Sequence, residues 1–180
     1  IKKLSIPETR FVIRVFKDKN TYNWHREFEG RDILIASAYQ TRESFGEWPK
    51  IHDELLNHIK GKGGNPIRLK AGSDLKQIIR LSKDPNTTWP ADTLPDADMI
   101  FITVADGKFN KRENTKNPFG EDAQFAGEIR TIAYKNGKSF FSDRYKGATG
   151  WNPMGEEMCM DVLALHVFKR WKMKYLKHIS

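Results

Sequence analysis

The sequence predicts a single α/β domain in which helices flank both faces of a mostly parallel sheet. Two apolar runs, residues 32–38 and 98–105, are continuous rather than alternating, as is typical of strands covered on both faces. Segments with apolar residues at helical spacing separate such runs along the chain, and this alternation is the pattern of βαβ units. A length of 180 residues suits one domain.

The chain is predicted to begin with an extension over residues 1–30, before the domain proper at 31–180. Within the extension, the apolar and β-branched run at 10–16 predicts an added strand. The first of the two continuous apolar runs follows. A helix comes next, because Pro49 fits a first helical turn and the apolar residues after it fall at helical spacing.

A short strand and a short helix are predicted after this. Residues 66–70 predict the strand, and Ser73 or Asp74 can cap the helix, whose apolar residues are Leu75, Ile78 and Ile79. A loop with three prolines spans residues 84–96. The run at 98–105 then predicts the next strand.

The segment at 120–134 is predicted to be a helix that carries two carboxylates. Asp122 lies near its expected N-cap, where it would accept a backbone hydrogen bond. Glu128 falls between apolar residues, beside a packed face. A turn at Gly137 leads into a last strand at 138–142. Open α/β sheets place their chemistry at the C-terminal ends of parallel strands, so these carboxylates are candidate functional groups.

Residues 154–175 predict a long final helix with a basic end. Five apolar side chains are expected on a common side, namely Met158, Val162, Leu165, Phe168 and Trp171. Cations near a helix C-terminus are stabilised by the helix dipole, so the basic end needs no ligand to explain it.

Charge and composition restrict the classes of function. The formal net charge of +8 permits an acidic partner, such as nucleic acid, a nucleotide, an anionic membrane or an acidic subunit, and equally suits a solvated basic surface. The single cysteine, Cys159, excludes an internal disulfide, and its apolar neighbours predict a buried position. No apolar run is long enough to predict a transmembrane segment. Phosphate-loop, dinucleotide-binding and serine-hydrolase motifs are absent, and no metal or cofactor is predicted.

The order of these elements resembles the nucleoside 2-deoxyribosyltransferases and their relatives that hydrolyse nucleotide N-glycosidic bonds. Tyr39 ends the first predicted strand of the domain, and Asp98 leads the strand that this family begins with Asn-Ala-Asp or a similar triplet. Asp122 precedes Glu128 by six residues, as the family's aspartate precedes its nucleophilic glutamate. Asn152 stands before a helix that starts with methionine, as in many members.

The resemblance implies a flavodoxin- or Rossmann-like sheet and a site for a nucleoside or nucleotide. Glu128 would be the nucleophile or charge stabiliser, because breaking the bond between base and sugar builds positive charge on the sugar. Asp122 would assist at the sugar or the base, and Tyr39 would stack on the base. Asp98 and Asn152 would complete the substrate site.

One departure from the family pattern favours a different role. The family's glycine after the glutamate-hydrophobic pair is Arg130 here, and arginine brings volume and charge where the family has space. The main expectation is therefore a catalytically degenerate accessory subunit of a larger assembly, partnered by other protein subunits or by copies of itself. Trp24, Trp171 and Lys174 are expected to be buried against those chains.

Two alternative functions stay open. The first is an active enzyme that cleaves or transfers an N-glycosidic bond through Glu128, and the second is a basic nucleic-acid-binding protein.

The chain starts at Ile1 rather than at a methionine. A basic mature chain suits the mitochondrial matrix, with the cytoplasm as the alternative location.

Overall fold

The computed structural model describes residues 26–69 and 72–180. Its strands are β1 (Asp32–Gln40), β2 (Phe45–Glu47), β3 (Asn65–Arg68), β4 (Met99–Glu113), β5 (Glu121–Lys135) and β6 (Lys138–Ala148). Its helices are α1 (Pro49–Lys60), α2 (Ser73–Leu81) and α3 (Glu156–Ile179). The predicted strand at 10–16 and Trp24 lie outside the described residues.

The sheet is mixed in strand direction. β1 is parallel to β4 on one side and parallel to β3 on the other. β2 pairs antiparallel with the C-terminal end of β1, on the same edge as β3. The pairs β4–β5 and β5–β6 are antiparallel hairpins. The strand order is therefore β2-β1-β4-β5-β6, with β3 beside β1.

The prediction of a mostly parallel, flavodoxin- or Rossmann-like sheet is wrong. Residues 120–134, predicted as a helix, lie almost entirely in β5, which pairs with β4 along its whole length. The turn after β5 accounts for the difference, since Asn136 has φ 51° and Gly137 has φ 73°. Two successive left-handed residues of the Asn-Gly type make a two-residue hairpin turn, and such a turn joins antiparallel strands.

Other elements lie where the sequence predicts them. The strands predicted at 32–38, 66–70, 98–105 and 138–142 correspond to β1, β3, β4 and β6, although β4 continues to residue 113. The helix predicted after Pro49 is α1, and the short helix predicted near Ser73 is α2.

Helices cover both faces of the sheet, with α1 and α3 on one face and α2 on the other. Along β1, Ile33 and Ile35 face α1 and α3, whereas Leu34 and Ala36 face α2. Side chains alternate between the two faces of a strand, so a strand covered on both sides needs an unbroken apolar run. Residues 33–38 are all buried, which confirms this reading of β1.

The final helix is present, but it buries a different side from the one predicted. The buried residues of α3 are Cys159, Met160, Leu163, Ala164, Val167, Trp171 and Tyr175. Met158 and Leu165 are exposed. Both sides of the helix carry apolar residues, so periodicity alone did not decide between them. Trp171 lies in the domain's own core, where a partner chain does not reach it.

No helix among the described residues combines the length and the apolar character needed to cross a bilayer.

β4 and β5 extend beyond the rest of the sheet as a two-stranded ribbon. β1 pairs with β4 only as far as Asp106, and β6 pairs with β5 only from Ala126. Gly107 and Gly127 face each other where the ribbon leaves the sheet. A Cβ on Gly127 would lie 2.6 Å from the Cα of Gly107, so there is no room for a side chain between the two strands at this position.

We expect Gly127→Ala to destabilise the fold, because the added methyl group would meet the backbone of Asp106 and Gly107. The expected loss in free energy of unfolding is about 1–3 kcal/mol, as at overpacked sites, and urea denaturation measures it. Gly150→Ala is the matched control, since a Cβ there has nothing within 4 Å. Equal stability of the two variants would contradict a steric constraint at the base of the ribbon.

Candidate functional site

The turn between β1 and β2, residues 41–44, forms one wall of a cleft. The backbone N–H of Thr41 donates to the Ser44 carbonyl oxygen at 2.7 Å, and the Ser44 N–H donates to Thr41 Oγ1 at 3.0 Å. These local hydrogen bonds fix the conformation of the turn. Its two central residues, Arg42 and Glu43, are exposed.

The solvent side of α2 forms the opposite wall. The residues of this helix that are buried against the sheet include Leu75, Ile78 and Ile79. Lys76, Arg80 and Lys83 follow one another at spacings of four and three residues, which place side chains on one helical face. Lys83 comes just after the helical residues end.

The cleft between these walls is strongly basic. It has a volume of about 410 Å³, and its charged lining residues are Arg42, Glu43, Lys76, Arg80 and Lys83. Within residues 26–69 and 72–180, none of the four cations forms an ion pair with a carboxylate. A concave surface lined mainly by charge of one sign focuses the electrostatic potential, so the cleft attracts anions.

An aromatic ring lies in the same cleft. Phe45, the first residue of β2, lines the cleft and is 44% exposed. The ammonium nitrogen of Lys76 is 5.3 Å from the centroid of this ring, a distance at which a cation is attracted to the ring face. The cleft therefore presents a flat apolar surface directly beside positive charge.

A network of ion pairs adjoins the cleft and contains Glu128. Arg130, which is 7% exposed, donates from Nε to Glu128 Oε1 at 2.6 Å and from Nη1 to Ser82 Oγ at 3.1 Å. Its Nη2 donates to Asp106 Oδ2 at 2.5 Å. Arg144 Nε is 3.2 Å from the same oxygen of Glu128. The hydrogen bond from Arg130 lowers the pKa of the Glu128 carboxyl, which is therefore an ionised partner of two arginines.

Asp122 lies at the far end of the ribbon and has different partners. Its carboxylate accepts hydrogen bonds from Arg112 Nη2 at 3.1 Å, Asn114 Nδ2 at 2.9 Å and Asn117 Nδ2 at 3.1 Å. Burial would raise the pKa of this carboxyl, but the hydrogen bonds from Asn114, Arg112 and Asn117 outweigh burial and lower it. Asp122 thus anchors the loop between β4 and β5.

The three remaining predicted site residues lie in other places. Asp98 Oδ2 accepts a hydrogen bond from the Asp32 N–H at 2.9 Å, where β1 and β4 begin. Tyr39 is near the opposite end of β1, and Asn152 Oδ1 accepts from the Met154 N–H at 2.8 Å before α3. The structure does not gather the five predicted residues around one pocket.

A second cleft, of about 290 Å³, contains Tyr39 and lies on the other side of the turn at 41–44. Its aromatic residues are Tyr39, Trp48 and Phe109, and its carboxylates belong to Glu47, Glu156, Glu157 and Asp161. The two clefts therefore have charge of opposite sign. Among the described residues, no group of histidine, cysteine and carboxylate side chains is arranged to hold a metal ion.

No family model matches the sequence, and no curated protein matches it. Among solved structures, lipoprotein GNA1162 from Neisseria meningitidis is 9% identical with a TM-score of 0.40, and the match covers 77% of this chain and 96% of that chain. Hypothetical protein CT253 from Chlamydia trachomatis is 10% identical with a TM-score of 0.46, over 82% and 96% of the two chains. A neuraminyllactose-binding hemagglutinin homolog from Helicobacter pylori is 11% identical with a TM-score of 0.44, over 82% and 86%. Matches at this level assign neither a family nor a function.

The resemblance to the nucleoside 2-deoxyribosyltransferases is wrong. The segment that carried the resemblance, predicted as a helix, is the strand β5, and it pairs antiparallel with β4 and β6. Residues six positions apart are roughly 9 Å apart along a helix but roughly 20 Å apart along a strand. Asp122 and Glu128 are therefore too far apart in β5 to act on one sugar.

Sequence reasoning did not single out the basic cleft. The spacing of Lys76, Arg80 and Lys83 on the polar side of a predicted helix was a usable signal. Arg42 had no such signal, because only the fold brings the turn after β1 opposite α2.

We expect Glu128→Gln to lower the free energy of unfolding at neutral pH by about 1–2 kcal/mol, since a charge-assisted hydrogen bond becomes a neutral one. The folded-state pKa of Glu128 is lowered. Its stabilising contribution is therefore complete above the unfolded-state pKa of about 4.3 and is lost as pH falls through the folded-state pKa. The stability difference between wild type and variant, measured by urea denaturation, should vanish in acid.

Glu43→Gln is the control for this experiment, because Glu43 is exposed and forms no ion pair among the described residues. It should leave stability almost unchanged at both pH values. A stability difference for Glu128→Gln that stayed constant from neutral pH into acid would show that the Glu128 charge does not stabilise the fold.

Proposed function

We propose that this protein is a non-catalytic accessory domain that binds an anionic partner through the basic cleft, as part of a larger assembly. The main support for the proposal is that four cations line one cleft. Among the described residues, no carboxylate is paired with any of the four. Like charges held this close repel one another, and an anionic ligand would relieve that repulsion.

The state of the two candidate catalytic carboxylates supports a binding role. Glu128 is held by Arg130 and Arg144, and Asp122 is held by Arg112. A carboxylate that acts as a nucleophile or general base needs its oxygens free to approach the substrate. Both carboxylates instead accept hydrogen bonds from arginine side chains.

Exposed apolar residues at the ribbon tip support participation in an assembly. Phe119 is 72% exposed and Met154 is 60% exposed. Their two loops are joined, because Asn117 Nδ2 donates to the Pro153 carbonyl oxygen at 3.1 Å. Trp151, in the same loop as Met154, is 37% exposed. Neighbouring apolar side chains of this kind are typical of contact surfaces between proteins.

The double variant Arg80→Glu and Lys83→Glu should bind a polyanion at least tenfold more weakly than wild type. Isothermal titration with inorganic polyphosphate provides the measurement, and circular dichroism checks that the variant is folded. The slope of log affinity against log salt concentration should also become shallower, because fewer counterions are released on binding.

The matched control is Lys172→Glu with Lys174→Glu, which makes the same change in net charge on α3, away from the cleft. It should reduce affinity only slightly. Equal weakening by both double variants would mean that the net charge of the chain, and not the cleft, binds the anion.

A further inference from the structure

We infer that the anion bound in the basic cleft is a single-stranded nucleic acid, with phosphates along α2 and a base stacked on Phe45. This inference rests on the proposed function of the cleft and specifies its ligand. Single-strand binding sites in general combine a cationic groove that follows the backbone with aromatic rings that take the bases. The basic cleft, with a volume of about 410 Å³, contains both features.

The cations are arranged along a line on one wall. Lys76 and Lys83 are seven residues apart on α2 and just beyond it, which corresponds to roughly 10 Å along a helix axis. Arg80 lies between them. A row of this length can meet successive phosphates of an extended strand, and Arg42 supplies a cation from the opposite wall.

The basic surface continues past the end of α2. Arg144 Nη2 donates to the Lys83 carbonyl oxygen at 3.3 Å, which brings β6 next to the helix end. Lys146 is two residues further along the same strand and is exposed. Residues two apart in a strand share a face. A nucleic-acid strand that leaves the cleft at Lys83 therefore meets Lys146, beside the ion pair of Arg144 with Glu128.

Phe45 distinguishes a nucleic acid from a simple polyanion. Its ring is 44% exposed and lines the cleft, and the Lys76 ammonium lies 5.3 Å from the ring centroid. A stacking surface and a phosphate-binding cation are thus adjacent, as a base and its phosphate are adjacent in a nucleotide. Polyphosphate and acidic peptides without aromatic residues have no group that would stack on the Phe45 ring.

A single strand fits this surface better than a duplex does. In a duplex the bases are stacked on one another, so none offers a free face to Phe45.

The test measures the affinity of wild type, Phe45→Ala and Phe45→Trp for a fluorescein-labelled single-stranded oligonucleotide, by fluorescence anisotropy. Competition against the bound oligonucleotide measures the affinities of three other ligands. They are a duplex of the same sequence, inorganic polyphosphate of equal charge, and an acidic peptide without aromatic residues. Phe119→Ala is the control, since it removes an aromatic ring that is 72% exposed at the ribbon tip, away from the cleft.

We expect wild type to bind the oligonucleotide at least tenfold more tightly than each of the three competitors. Phe45→Ala should lose about tenfold in affinity for the oligonucleotide and nothing for polyphosphate. Phe45→Trp should restore the oligonucleotide affinity, and Phe119→Ala should leave it unchanged.

Equal weakening of oligonucleotide and polyphosphate binding by Phe45→Ala, or no weakening of either, would overturn the inference. A competitor that binds as tightly as the oligonucleotide would also overturn it, and in both cases the proposed binding of an anion would still stand. Failure of every anion to bind wild type would overturn the proposed function as well.

Discussion

Arg130 links the end of α2 to the sheet on which the helix packs. From β5, its guanidinium reaches Ser82 just after α2, Asp106 on β4 and Glu128 on its own strand. α2 has nine residues, and a helix this short is not stable without tertiary contacts. Burial of the Arg130 charge is tolerated because two carboxylates and a hydroxyl accept its hydrogen bonds. Of the cations in the basic cleft, Lys76 and Arg80 lie on this helix and Lys83 lies just after it.

The turn at 41–44 separates two clefts of opposite charge. The basic cleft lies on the α2 side, and the cleft with Glu157 and Asp161 lies on the side of α1 and α3. Among the described residues, no carboxylate of the second cleft forms an ion pair with a cation of the basic cleft. Arg42 and Glu156 nevertheless both line a further cleft beside the turn. Tyr39 belongs to the acidic cleft and Phe45 to the basic one. Each cleft thus combines a charge that is mainly of one sign with at least one aromatic ring.

The six-residue spacing of Asp122 and Glu128 predicted a catalytic pair that the fold does not form. Six residues between Asp122 and Glu128 bring two carboxylates near each other in a helix, but along β5 the same spacing separates them. Each carboxylate then finds a different arginine, Arg112 at the ribbon tip and Arg130 beside α2. The basic residues of α2 could have been recognised from their helical spacing. Their meeting with Arg42 and Phe45 could not, because those residues come from a separate part of the chain.

Local patterns in the sequence were enough to place β1, β4 and the first two helices, because unbroken apolar runs and helical spacing are local properties. Residues 32–38 and 98–105 are strands for this reason, and α1 and α2 begin close to Pro49 and Ser73 as expected. What depended on tertiary structure was the pairing of β5 with β4, the side of α3 that is buried, and the contacts of Arg130 with Asp106 and Ser82. Each of these depends on a residue distant in sequence. A pattern of apolar residues indicates that one side of a helix or strand will be buried. The pairing of strands and the packing of helices decide which residues bury it.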